Sequence, residues 1–304
     1  MIPAAAREAL AASLGAAVRF DVPLSRYTSL RVGGPADALV APADRVALGR
    51  ALELCRALGL PVTVLGNGFN TLVRDAGVEG VVLRLHRLCA LRRDPGGDLV
   101  AEAGASHARV TRYCVEHGLA GLEFAAGIPG TVGGWVAMNA GVPAREIQEA
   151  LRGVELLDAD GRRRCVPRDA LPARYRSGGV PAGAVVVAAA FAVRDEARDA
   201  VRAEVERHLS HRSRTQPLDV PSCGSVFKNP PGEFAGRLIE QAGLKGARVG
   251  GAEISPVHAN FIVNRAGASA ADVLALMDLA RARVRERTGL ELEPEVRIVG
   301  REAA

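Results

Sequence analysis

Lysine is almost missing from this chain: of 39 basic residues among 304, only Lys228 and Lys245 are lysines. Positive charge is therefore carried by arginine, whose planar fork suits bidentate contacts to phosphate and carboxylate. The formal net charge is +5, yet acidic and basic residues are interleaved and aromatics make up only 4%. Without a basic stripe or stacking platform, no nucleic-acid partner is expected. No apolar run approaches the roughly 18 residues of a spanning helix, so no membrane insertion is expected. The five cysteines, Cys55, Cys89, Cys114, Cys165 and Cys223, are odd in number and widely spaced, with no C-x-x-C. The six histidines form no H-E-x-x-H. A disulfide framework, a zinc site or any other metal centre has little support. Residues 1–19, alanine-rich with internal charges, read as a short helix and not as a signal peptide.

What is present is an ordinary globular composition, 48% apolar and 24% charged, long enough for two or three domains. Strands are expected near Leu39-Val40 and at 61–65, 81–85, 98–103, 185–193, 260–263 and 295–299. Asp44 caps an expected helix whose Val46, Leu48, Leu52, Cys55 and Leu58 recur at helical spacing. Ser106 caps another that Gly118 ends. Helices are further expected at 199–212 and 234–242, and after the S-x-x-D of Ser269 and Asp272. The apolar run 185–193 reads as a strand buried on both faces. The uneven interleaving of strands and helices points to an α+β fold.

Five segments carry chemistry-bearing residues. Gly66-Asn67-Gly68-Phe69-Asn70-Thr71 follows a strand and is either a backbone nest for a pyrophosphate or a tight turn. It lacks the G-x-G-x-x-G spacing of a dinucleotide-binding Rossmann unit. Residues 121–141 hold six glycines, including Gly127, Gly130, Gly133 and Gly134 beside Thr131, too many for a plain strand or helix. They suit backbone lying against a large flat or phosphorylated ligand, or a glycine-rich connection between layers. Arg174-Tyr175-Arg176 is an anion grip or a solvated turn. In residues 221–230, Ser225 follows a glycine, and Lys228 and Asn229 follow within four positions. Glu295 opens an apolar strand after Pro294, as a buried acid or as a surface residue.

In this order, the segments resemble the UDP-N-acetylenolpyruvoylglucosamine reductase (MurB) family. The resemblance begins at Tyr27-Thr28-Ser29-Leu30-Arg31-Val32-Gly33-Gly34-Pro35-Ala36-Asp37. It runs through the five segments and His258-Ala259-Asn260, and closes at 293–300, covering almost the whole chain. It implies an FAD-binding domain of the PCMH type made of two α+β subdomains, 1–85 and 86–197, plus a C-terminal α+β substrate-binding domain, 198–304. FAD, held non-covalently, is expected against Tyr27, Arg31, Gly66, Asn67, Gly68, Phe69, Asn70, Thr71, Gly127, Gly130, Thr131, Gly133 and Gly134.

The resemblance further implies reduction of UDP-N-acetylglucosamine enolpyruvate to UDP-N-acetylmuramate, with NADPH as hydride donor, by a cytoplasmic monomer of cell-wall precursor synthesis. Arg176 and Glu295 would stabilise the enolic intermediate, Glu295 in a protonated form that burial favours, and Ser225 would donate the proton. Tyr175, Lys228, Asn229 and Asn260 would meet the substrate, Asn229 at its diphosphate. The chain departs from the family pattern at Phe69, Trp135, Pro143 and Gly178. Between Val193 and Arg212 it has no room for the tyrosine-bearing insertion of one branch. A non-catalytic flavin or sugar-nucleotide binder would keep the glycine tracts without Arg176, Ser225 and Glu295.

Overall fold

The computed structural model describes residues 1–143, 145–158 and 160–302. They fall into two compact units, each discontinuous in sequence. The first comprises Met1–Phe20, Ala38–Asn67 and Gly80–Arg212; the second comprises Asp21–Asp37, Gly68–Glu79 and Ser213–Ala304. Each has its own buried apolar cluster. Strands and helices are mixed in both, as an α+β fold requires.

The first unit is built on a five-stranded sheet in the order Arg163–Pro167, Leu151–Leu157, Val185–Phe191, Leu99–Glu102, Leu91–Arg93, antiparallel throughout. The central strand, Val185–Phe191, is buried at six of its seven positions. A short helix, Val132–Met138, packs against it. Central position, not parallel pairing, accounts for that continuous apolar run. Local signals set the helix ends. Asp44 accepts a hydrogen bond from Ala47 N (2.8 Å) and starts Arg45–Ala57. Ser106 accepts from Arg109 N (3.3 Å) and starts His107–His117, which Gly118 closes at φ 62°. Val46, expected on the buried face of its helix, is 74% exposed. That face is made by Leu48, Ala51, Leu52 and Cys55 instead.

A four-stranded sheet runs in the order Val18–Pro23, Pro35–Val40, Val78–Leu83, Val62–Val64, and the unit boundaries at residues 20/21, 37/38 and 79/80 fall within its strands. The second unit's own sheet, Ser222–Ser225, Phe261–Asn264, Ala252–Ile254, Arg248–Val249, is antiparallel. The helix Ala270–Thr288 packs on it. That helix begins in the capping box of Ser269 and Asp272. Asp75 adds a second cap, its carboxylate accepting from Ala270 N (2.8 Å) and Ala271 N (2.9 Å). Thr71–Val73 pairs in parallel with Arg297–Val299. Among the described residues no helix is long and apolar enough to cross a membrane.

Candidate active site

The glycine tract of the first unit is partly helical, contrary to the expectation from its composition. Val132–Met138 is a helix because Thr131 caps it, accepting from Gly134 N (3.3 Å), and because Val132, Trp135 and Val136 present one buried face. Its glycines are needed for close approach. Gly133 N donates to Ala103 O (2.8 Å), and a Cβ on Gly133 would stand 3.1 Å from that of Ala103. Trp135, one of the departures, is 1% exposed, and its indole N–H donates to Ile128 O (3.0 Å), fixing the turn before the helix.

Gly66 meets the same tract. A Cβ there would lie 2.7 Å from Thr131 Oγ1, so two candidates far apart in sequence are neighbours. At Gly127 and Gly130, by contrast, a Cβ would meet nothing within 4 Å. Bare backbone therefore borders open space there, a cradle that a flat or phosphorylated group fits. These residues suit FAD on that ground.

Residues 174–178 form a tight turn. Arg174 and Ser177 exchange backbone hydrogen bonds (2.7 and 2.9 Å), and Arg176 takes the left-handed conformation at φ 58°. Its guanidinium lies 4.8 Å from the centre of the exposed Tyr175 ring and reaches towards Gly141 O at 3.5 Å. Gly178 N donates to Ala137 O (2.9 Å), and any Cβ at Gly178 would sit 1.7 Å from Val136 O. Here that departure from the pattern is a packing requirement.

In the second unit, Gly68 (φ 67°) crosses the 27–28 backbone, where a Cβ would lie 2.3 Å from Tyr27 O. Ser29, not foreseen as a site residue, ties the turn down. Its hydroxyl lies 2.9 Å from Gly68 O and 2.6 Å from Ser222 O, and its one proton serves one of them at a time. Arg31 is exposed, with φ 57°. Asn70 Nδ2 donates to Glu295 O (3.1 Å), and Thr71 lies opposite Arg297.

Ser225 follows a bulge: three steps from Ser222 to Ser225 face two from Val263 to Phe261, with Gly224 at φ 82°. Such a bulge re-aims the side chain that follows it. The Phe69 carbonyl oxygen lies 4.0 Å from where a Gly224 Cβ would be. Beyond Ser225 the chain pairs with the segment that carries Glu295. Glu295 N donates to Val226 O (2.8 Å), Lys228 N donates to Glu293 O (2.9 Å), and Phe227 bridges Pro294. Ser225 and Glu295 are thus brought onto adjoining backbone. Arg176 belongs to the first unit, Ser225 and Glu295 to the second.

Three of the expected substrate contacts also have partners within the chain. Lys228 pairs with the Glu293 carboxylate, and Asn229 Oδ1 accepts from Ala235 N (3.0 Å), steadying the start of the helix Ala235–Gln241. Asn260, 3% exposed, turns both ends of its amide to Phe227: Oδ1 accepts from Phe227 N (3.0 Å) and Nδ2 donates to Phe227 O (2.8 Å). It holds the segment after Ser225, where sequence placed it on the substrate. Cys223 is 1% exposed and burial pushes its thiol up to about 12, so it is an unreactive core filler.

Comparison with known proteins matches two stretches of the chain to known families. The family described as UDP-N-acetylenolpyruvoylglucosamine reductase, C-terminal domain, matches residues 216–299, and the family described as FAD binding domain matches residues 36–165. The UDP-N-acetylenolpyruvoylglucosamine reductase of Anaeromyxobacter dehalogenans (strain 2CP-C) is 52% identical over 92% of this chain and 85% of its own. That of Geotalea uraniireducens is 42% identical over 97% of this chain and 98% of its own. The crystal structure of UDP-N-acetylenolpyruvylglucosamine reductase (MurB) from Thermus caldophilus aligns with a TM-score of 0.82 at 37% identity, covering 93% of this chain and all of that one. By sequence and by fold, this chain belongs to the UDP-N-acetylenolpyruvoylglucosamine reductase family.

Proposed function

We propose that this oxidoreductase reduces UDP-N-acetylglucosamine enolpyruvate to UDP-N-acetylmuramate, using non-covalent FAD and NADPH, as a cytoplasmic monomer. Its functional parts are 1–85 and 86–197 for FAD and 198–304 for the sugar nucleotide. Residues 66–71, Tyr27, Arg31 and the Gly127–Gly134 stretch hold FAD. When bound, FAD supplies hydride, received from NADPH, to the β-carbon of the enolpyruvyl group. Charge then develops on the substrate's carboxylate side. Arg176 meets it with a fixed positive fork, and the Glu295 carboxyl shares the task. Ser225 Oγ–H delivers the proton to the α-carbon. Lys228, Asn229 and Tyr175 bind the nucleotide portion, while Asn260 acts through the backbone it grips.

The observation that supports this reading is the backbone pairing of residues 226–228 with 293–295, which brings the segments bearing Ser225 and Glu295 together from distant sequence after a bulge. The test is an anaerobic visible spectrum of the purified protein. NADPH is expected to bleach a yellow flavin, and the enolpyruvyl substrate to restore it. Ser225→Ala should slow restoration by roughly 100-fold or more and leave bleaching intact. Bleaching without restoration in the wild type would assign another acceptor. A protein that takes up no FAD after reconstitution would leave the non-catalytic binder in front.

A further inference from the structure

We propose that Asn139 is a positioning residue for Arg176; the proposal rests on the role given to Arg176 above. Asn139 is 2% exposed and caps the C-terminus of the helix Val132–Met138 in the left-handed conformation, at φ 42° and ψ 54°. Asparagine tolerates that conformation better than most side chains. Its amide is fully committed. Nδ2 donates to Glu146 Oε2 (2.6 Å) and to Arg174 O (3.2 Å), and Oδ1 accepts from Gln148 N (3.1 Å). One of these bonds is to the opening residue of the Arg174–Ser177 turn, two positions before Arg176.

The same helix end grips the other side of the turn. Gly178 N donates to Ala137 O, and the Gly178 backbone is pressed against Val136 O. The turn is thereby docked at both ends onto a helix whose other end carries Thr131 and the glycine cradle. Glu146 orients the amide. Its Oε2 accepts from Nδ2 and so fixes which side of Asn139 bears the donors. A small cavity lined by Asn139, Gln148, Leu151, Leu171 and Gly178 lies behind the turn. Without Asn139, the turn has room to shift and Arg176 loses its aim. A displacement of about 1 Å in a charge-stabilising group is enough to cost roughly 100-fold in rate.

The test uses the full-length FAD-loaded enzyme with Asn139→Gly, which keeps the left-handed backbone, and Asn139→Asp, which keeps the Oδ1 acceptor but cannot donate to Arg174. Either variant serves if the other fails to fold. Expected is a fall in kcat of roughly 10- to 100-fold, with KM and FAD affinity within about threefold of wild type. Trypsin should nick the FAD-free protein after Arg174 or Arg176 about tenfold faster, reporting the loosened turn without any catalysis. In an Arg176→Ala background, removing Asn139 should cause no further loss, because the group it positions is already gone. Wild-type kcat and nicking in both variants would overturn the proposal. So would equal, multiplying losses in the two backgrounds, which would place the effect of Asn139 elsewhere. Wild-type kcat in Arg176→Ala alone would instead remove the assigned role of Arg176, leaving the nicking rate to decide whether Asn139 holds the turn.

Discussion

Asn139 in the first unit and Asn260 in the second make the same kind of contact in different surroundings. Each side chain is almost wholly buried and grips the backbone of a segment that bears a proposed catalytic group. The bonds of Asn260 to Phe227 are themselves buried, whereas those of Asn139 to Arg174, Glu146 and Gln148 are only part-buried. When the grip of Asn260 is lost, two backbone groups are stranded away from water. When that of Asn139 is lost, water takes the vacated places and the turn is free to move. One asparagine therefore guards stability, and the other guards aim.

The comparison is broken most directly by Asn260→Leu. Two orphaned buried backbone groups should cost about 2–6 kcal/mol in urea unfolding, at roughly 1–3 kcal/mol each. Asn139→Gly should cost about 1–2 kcal/mol and show itself mainly in kcat. Equal unfolding midpoints for the two variants would erase the distinction.

A smaller effect is expected from His258, whose Nδ1 accepts from Asn260 N (3.2 Å) and whose ring packs against Phe261. Burial lowers its pKa, with Lys245 adding to the effect and Glu240 opposing it. The unfolded chain then binds more protons than the folded one just below the ordinary histidine range of about 6.5. Stability should fall as pH drops from 7.5 to 5.5, since protonation turns the Nδ1 acceptor into a donor facing an N–H. His258→Asn, measured by urea midpoints at both pH values, should flatten that slope. An unchanged slope would show that His258 does not report on the Asn260 grip.

Smallest is the contribution of Asp272. Hydrogen bonds from Ser269 N, above all, and from Gly251 N hold its carboxyl below the usual carboxylate range. That stabilisation is present above the ordinary aspartate pKa of about 3.9 and is lost as pH falls through the lower folded value. Asp272→Asn should therefore be less sensitive to acid below about pH 4 than the wild type. Identical acid unfolding curves would count against the cap.

Legibility from sequence followed the range of each interaction. Asp44, Ser106 and the Ser269–Asp272 box act on N–H groups three residues away, so the helices they start were readable. Val46 was misplaced because spacing gives a face but not what covers it. The helix Val132–Met138 was hidden by glycine content, since its warrant is tertiary: a cap at Thr131 and a buried face on the strand Val185–Phe191. The order of the motifs sufficed for the family and for Arg176, Ser225 and Glu295 as candidates. The tasks of Asn139 and Asn260 were not readable, because their partners lie 35 and 33 residues away.

The parallel pair of Thr71–Val73 with Arg297–Val299 has a consequence for how the chain is made. Asn70 and Glu295, just before the pair, are 225 residues apart. At a synthesis rate of roughly 5–20 residues per second, the earlier strand leaves the ribosome about 10–45 s before its partner exists. For that interval Leu72 and Val73, buried in the finished protein, belong to an open edge. The first unit, complete by Arg212, is free to fold around its own core during the wait, so the nascent chain's exposure to chaperones and proteases is concentrated in the second.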